Sequence, residues 1–296
     1  MDSILKNISD GKILVADGAM GSMLMQKGLL AGDCPELLNF EKPDIVEEVA
    51  QLYFQSGAVI IQTNTFGGTP LKLSDYGLQD KYAEINKSAV EIVKSVTDGK
   101  AYISGSCGPT GRMLEPFGEM GEEEAYDNFK LQTAALIDAG VDMLCIETMI
   151  DINESLIAVK AARSNSDTIP IAATLTFNHT PAGFVTIMGN NIKTVAKSLI
   201  DGGANIIGSN CGNGIDNMVE IAKEFRTFTN HPLLIQANAG TPEIVDGTVT
   251  YPETPEYFVK KVEDLVKAGV SIIGGCCGTT PEHISQMKDA VKALTD

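Results

Sequence analysis

Three cysteines stand where catalysis could use them. Gly274-Gly275-Cys276-Cys277-Gly278 follows Val270 to Ile273, a short β-branched apolar run that reads as a buried strand. The glycines turn the chain, and Thr280-Pro281 reads as a helix N-cap followed by proline at the first helical position. Adjacent cysteines bridge each other poorly because their Cβ vectors diverge, so a reactive or metal-bound pair is the economical reading. Buried, inert cysteines are the alternative. Upstream, Ala204 to Gly212 repeats the grammar: small and β-branched residues, then Cys211 against glycine. If both segments are parallel strands of one sheet, Cys211, Cys276 and Cys277 emerge at its C-terminal edge. Three thiolates with one position open describe a catalytic zinc site rather than a structural one. The spacing is not that of a zinc finger, so the metal reading depends on the fold.

The elements that must position these residues recur along the chain. Apolar strand candidates begin near residues 13, 59, 101, 142, 169, 204, 233 and 270, each followed by a stretch with helical spacing. Helices are expected over Asp44 to Ser56, Lys81 to Val96, Glu122 to Ala139, Ile152 to Ala162, Asn191 to Asp201, Ile215 to Phe228 and Glu256 to Ala268, with a last one after Pro281. Phe177 to Gly189 reads as a small hairpin above the sheet, and Pro242 to Pro252 as an excursion with a turn at Asp246-Gly247. Eight alternating units predict a closed (β/α)8 barrel, and no linker divides residues 1–296, which are read as one domain. A doubly wound open sheet competes, but no G-x-G-x-x-G follows the first strand. Asp17, Asn64, Glu147, Cys211, Asn238, Cys276 and Cys277 all follow strands, on the side where barrel active sites are built.

Composition narrows the class. The 296 residues carry 39 acidic against 22 basic side chains, a formal charge of −17, and no Lys/Arg stripe. Such a surface repels nucleic-acid backbones and anionic membranes, so neither is expected as a partner. No apolar run approaches the roughly 20 residues that span a bilayer. The N-terminus lacks a secretory peptide's apolar centre, and six cysteines without a dense framework suit a reducing cytoplasm. His179, His231 and His283 read as loop or helix residues, and Cys34, Cys107 and Cys145 as packing residues.

Several motifs together resemble the homocysteine S-methyltransferase family. They are Asp17-Gly18-Ala19-Met20-Gly21-Ser22, Thr63-Asn64-Thr65-Phe66, Cys107-Gly108-Pro109-Thr110, Glu147-Thr148, Ser209-Asn210-Cys211-Gly212 and Gly275-Cys276-Cys277-Gly278-Thr279-Thr280-Pro281. The likeness covers essentially the whole chain and is greatest to the homocysteine-binding module of cobalamin-dependent methionine synthases. The resemblance implies a barrel in which Cys211, Cys276 and Cys277 hold zinc and a methyl group moves onto homocysteine sulfur, giving methionine. It assigns Asp17 and Glu147 to the substrate ammonium; structural capping is the bland alternative. Ser106, Thr148 and Asn64 are further substrate-contact candidates, with backbone N–H groups beside the substrate carboxylate. Asn238 is expected beside the metal, as a transient ligand or a supporting residue, against a turn-forming role.

The donor implied is methylcobalamin on a partner protein or module: with no folate, corrinoid or activation module beside the barrel, the chain is expected to be either an excised or freestanding module or one whose donor arrives on a separate corrinoid protein. A sulfonium compound or betaine is the alternative donor. A demethylase component that passes methyl from a small compound to a corrinoid protein is another reading, and a non-enzymatic binding barrel a third. Phe177 to Phe184 departs from the S-G-x-T pattern of the methionine synthases, which puts the acceptor in question.

Overall fold

The structure, a computed structural model, describes residues 2–181, 183–245 and 248–295. Eight short strands form one parallel sheet: β1 (Leu14–Val15), β2 (Ile60–Gln62), β3 (Tyr102–Cys107), β4 (Met143–Met149), β5 (Ile171–Leu175), β6 (Ile206–Asn210), β7 (Leu233–Ala237) and β8 (Ile272–Gly275). Their order is β1-β8-β7-β6-β5-β4-β3-β2. A parallel bridge from Ala16 to Ile60 joins the two ends, with Asp17 N–H donating to Ile60 O at 3.0 Å. The result is a nearly closed (β/α)8 barrel, as the alternation predicts.

Strand alternation sorts the interior into layers. The N-terminal half is apolar: Leu14, Ile60, Met143, Ile206, Leu234 and Ile272 share one buried cluster. Burying each such side chain contributes roughly 1.5–3 kcal/mol. A helix the sequence reading missed, Ile4–Ser9, packs Ile4, Leu5 and Ile8 against that cluster. One residue pair further along the strands the same face carries Gln62, Ser104, Cys145, Thr174 and Gln236, and then Ser106, Glu147 and Asn210, all but Gln62 fully buried. Polarity therefore rises toward the C-terminal mouth.

The helices lie close to expectation, at Pro43–Gln55, Tyr82–Thr97, Glu122–Ala139, Ile152–Asn165, Ile192–Asp201, Ile215–Phe228 and Pro281–Thr295. Glu256 to Ala268 is interrupted: Pro255–Val259 and Val262–Lys267 are separate helices. At the break Lys261 N–H bonds Phe258 O, three residues back, so the chain bends without leaving helical space and the apolar pattern continues through it. Asn178–Thr180 pairs antiparallel with Gly183–Val185, the expected hairpin. Glu243–Val245 pairs likewise with Thr248–Thr250; the turn expected at Asp246-Gly247 lies outside the described residues.

The last helix begins as Thr280-Pro281 predicts, with a variation. His283 Nδ1 accepts from Thr280 N–H at 3.1 Å, and its Nε2 faces Glu253 O at 3.0 Å. Those partners require the neutral tautomer protonated at Nε2. Burial pushes its pKa down, which favours the same neutral form. This histidine is a cap and a strut.

Candidate metal and thiol site

The C-terminal mouth holds a cavity of about 250 Å³. Its wall includes Gln62, Asn64, Phe66, Ser106, Glu147, Thr148, Cys211, Cys276 and Cys277. The three sulfurs lie within 4.8 Å of one another, and Cys211 Sγ is 3.8 Å from Cys277 Sγ. Two sulfurs each about 2.3 Å from a tetrahedral zinc stand about 3.8 Å apart, so this edge already has the required length. Hydrogen bonds from Cys211 and Cys276 hold the Cys277 thiol well below the usual range, while bonding to Cys211 and Cys277 pushes Cys276 up. One thiolate forms readily here and further ones are resisted. A cation in the middle removes that resistance. The donor set suits zinc.

The local backbone explains the motif. A Cβ on Gly275 would stand 2.2 Å from Thr279 Oγ1, and one on Gly18 2.6 Å from the same atom. The glycines thus leave room for Thr279, whose hydroxyl donates to Cys276 O at 2.7 Å and accepts from Ala19 N–H at 3.3 Å. This ties the two-cysteine turn to the loop after β1. Cys276 N–H donates to Ala237 O at 2.7 Å, and Ala239 N–H to Cys277 O at 2.9 Å, so β7 braces it from the other side. Cys211 has φ +58°, a left-handed conformation at the end of β6.

Two carboxylates share the interior. Glu147 is buried; Ser106 Oγ donates to its Oε1 at 2.5 Å, and Asn210 Nδ2 to its Oε2 at 3.3 Å. Burial raises its pKa to about 7 against the hydrogen bonds from Ser106 and Gln62. Asp17 accepts from Gln62 N–H at 2.7 Å through one oxygen, and its Oδ1 has no partner. Burial, reinforced by the charge of Glu147, raises it to about 8. Two buried acids with an unfilled acceptor, and no basic residue among the described ones on the cavity wall, describe a place for a ligand cation.

The other expected contacts are placed with qualifications. Thr148 lines the cavity, and its hydroxyl, which accepts from Asn210 Nδ2 at 2.7 Å, keeps its own hydrogen for a ligand. Ser106 spends its hydrogen on Glu147. Asn64 lines the wall, but its amide N–H groups go to Pro35 O at 2.7 Å and Asn39 Oδ1 at 3.0 Å, leaving Oδ1. Asn238 is buried behind the cavity wall, with Oδ1 unpartnered and its N–H given to Asn213 O at 2.9 Å. Asp17 likewise sits behind the wall. Among the described residues, none from Phe177 to Gly189 lines the cavity; Phe177 packs edge-on against Phe225 at 5.9 Å.

Sequence reading passed over four residues. Gln62 braces both acids. Glu36, on the wall, accepts from Gly67 N–H at 2.6 Å. Tyr251, carried in by the excursion after β7, lays its ring against Gly278, where a Cβ would meet Cγ at 2.1 Å. Asn210 stood inside a quoted motif without a role. The inward alternation of β6 and β2 was the available signal for Asn210 and Gln62; nothing local marked Glu36 or Tyr251.

A (β/α)8 barrel with a three-thiol metal site and two buried acids at its catalytic end defines the class. The chain belongs to the homocysteine S-methyltransferase family, whose sequence profile matches residues 14–291. It is 30% identical over 302 residues to the methionine synthase of Mycobacterium leprae (strain TN) and 29% over 307 residues to that of Mycobacterium tuberculosis. Those alignments cover 96% and 98% of the chain but 25% of each relative, so it spans about a quarter of their length. Among solved structures, the metallated homocysteine methyltransferase MmuM of Escherichia coli superposes with a TM-score of 0.81 at 22% identity, over 97% of this chain and 99% of that one. A methyltransferase from Methanosarcina mazei gives 0.63 at 10% identity, over 99% and 98%. Both likenesses show the fold.

Proposed function

We propose that the chain is a zinc-dependent S-methyltransferase that transfers a methyl group to the thiol of homocysteine, giving methionine, with residues 1–296 acting as one homocysteine-binding unit. The observation that carries this reading is the pairing, in one cavity, of three sulfurs within 4.8 Å of one another, one edge of them at tetrahedral spacing, with an unneutralised acid. Cys211, Cys276 and Cys277 would hold the metal, and three thiolates would leave one tetrahedral position for a ligand sulfur. Zinc bound there would supply Lewis acidity that keeps a thiol, ordinarily protonated at neutral pH, in its thiolate form. Glu147, backed by Asp17, takes the ammonium. The Thr148 hydroxyl donates to the substrate carboxylate, and Ser106 holds Glu147 in place.

The donor assigned first is a small sulfonium compound or betaine. Two observations support it: a cavity of about 250 Å³, of small-molecule size, and a further acid on its wall, Glu36, which favours a cationic donor. A corrinoid-borne methyl group is the second reading, favoured by the methionine synthases that the chain matches over a quarter of their length. Zinc-loaded protein offered homocysteine with S-methylmethionine, S-adenosylmethionine, betaine or methylcobalamin separates them by methionine formed. Turnover with a methylated cation supports the first reading, and turnover with methylcobalamin alone selects the second. Failure to bind homocysteine and to form methionine with any donor overturns the proposal.

A further inference from the structure

Asn210, the last residue of β6, is fully buried, and its amide is saturated. Its Oδ1 accepts from Thr148 N–H at 2.7 Å and from Thr174 Oγ1 at 2.7 Å. Its Nδ2 donates to Thr148 Oγ1 at 2.7 Å and to Glu147 Oε2 at 3.3 Å. The amide's orientation is fixed, because a backbone N–H can only donate and the atom facing it must be oxygen. β4 and β6 are not neighbours; β5, which carries Thr174, runs between them. Asn210 is therefore a tie laid across β5 from the strand that ends in Cys211 to the strand that ends in Glu147-Thr148.

Both tied ends are irregular. The β4–β5 register shifts between Ile146 and Met149, and Thr148 has φ +59°. Cys211, directly after Asn210, has φ +58°. Side chains rarely adopt this backbone region, and such conformations persist only where the surroundings over-determine them. Without the tie, the end bearing the acid and the end bearing the sulfur would be free to relax independently.

We infer that Asn210 is a positioning residue that sets the span between Glu147 and the metal-holding sulfurs, so that the site selects amino-acid thiols by chain length. This rests on the proposed reading of the site, in which the ammonium meets Glu147 and the thiol meets the metal. A ligand anchored at both ends must match the span. Cysteine, one methylene shorter than homocysteine, satisfies one end at a time. A methylene is worth about 10- to 200-fold in a rigid site and less in one that adjusts. The stiffness that Asn210 provides is what converts chain length into affinity.

The test is calorimetric titration of the zinc-loaded full chain with homocysteine, cysteine and des-amino homocysteine, with zinc content measured on each sample. Wild type is expected to prefer homocysteine to cysteine by about 10- to 200-fold. Asn210→Ala should lower that preference by about tenfold, through weaker homocysteine binding, while retaining zinc and binding the des-amino thiol nearly as before. Thr174→Val removes one bond to Asn210 at nearly constant volume and should lower the preference by about threefold. If Asn210→Ala does not fold, Thr174→Val decides. A merely structural role would weaken all three thiols together and leave the preference unchanged, which overturns the inference while homocysteine binding stands. Wild type that binds homocysteine no better than cysteine overturns the homocysteine reading itself, and this inference with it.

Discussion

At the scale of the residue, the site is governed by two acids held where they do not ionise easily, beside three thiols of which Cys277 ionises readily. Glu147 sits near 7 and Asp17 near 8, each lifted by burial from ordinary values of 4.5 and 3.8. Carboxylates raised in this way contribute stability that is complete below about pH 4 and lost as the pH rises through 7 and then 8. Thermal midpoints of zinc-free protein should therefore fall between pH 5 and pH 9, and Glu147→Gln should fall less steeply. A midpoint that climbs over that range contradicts the assignment. An ammonium ligand reverses the balance by pairing with the ionised acids, so homocysteine affinity should rise across the same window. The same logic makes Glu147→Gln cost about 1.5–3 kcal/mol of homocysteine binding, roughly 10- to 150-fold, with zinc content unchanged. Des-amino homocysteine should be nearly indifferent to the substitution. Equal losses for the two thiols would leave Glu147 as a structural cap.

At the scale of the element, the metal-bearing turn depends on close packing between a glycine and a hydroxyl. Gly275 leaves the space that Thr279 fills, and Thr279 joins Cys276 O to Ala19 N–H. Gly275→Ala must displace that threonine from both contacts. Overpacking of this kind costs about 1–3 kcal/mol. Chemical denaturation should show that loss, and competition with a chelator should show weaker zinc binding, because the turn that carries two of the three sulfurs is the part that moves. Unaltered values for both would mean that the turn adapts without Thr279.

Across the whole molecule, the barrel and the metal are separable. The buried core runs through every strand and most helices, while the sulfurs sit at its rim. Cys211→Ala, Cys276→Ala and Cys277→Ala should each lose zinc and activity, since two sulfurs hold an open tetrahedral site poorly. Each should keep its circular dichroism spectrum and a cooperative thermal transition, because the chain has enough apolar bulk to fold without metal. Unfolding of all three variants would make the site structural. Among the described residues no helix is long and apolar enough to cross a membrane.

Eight strand-then-helix repeats, and cysteines and acids placed just after strands, were legible in the chain, because periodicity and turn chemistry are local. So was a three-thiol site able to hold a metal, once Cys211 and the Cys276-Cys277 pair were put at the same end of one sheet. Four things required the tertiary structure: that Asn210 reaches across β5 to Glu147, that Ser106 gives its hydrogen to Glu147, that Asn64 is committed to Pro35 and Asn39, and that Tyr251 lies on Gly278. Each joins residues 25 or more positions apart, so no local pattern encodes it. The interruption near Lys261 and the positive φ at Thr148 and Cys211 went unread for a related reason. Periodicity reports which face of an element is buried. The barrel's closure decides where its ends must bend and which partners the buried polar groups find there.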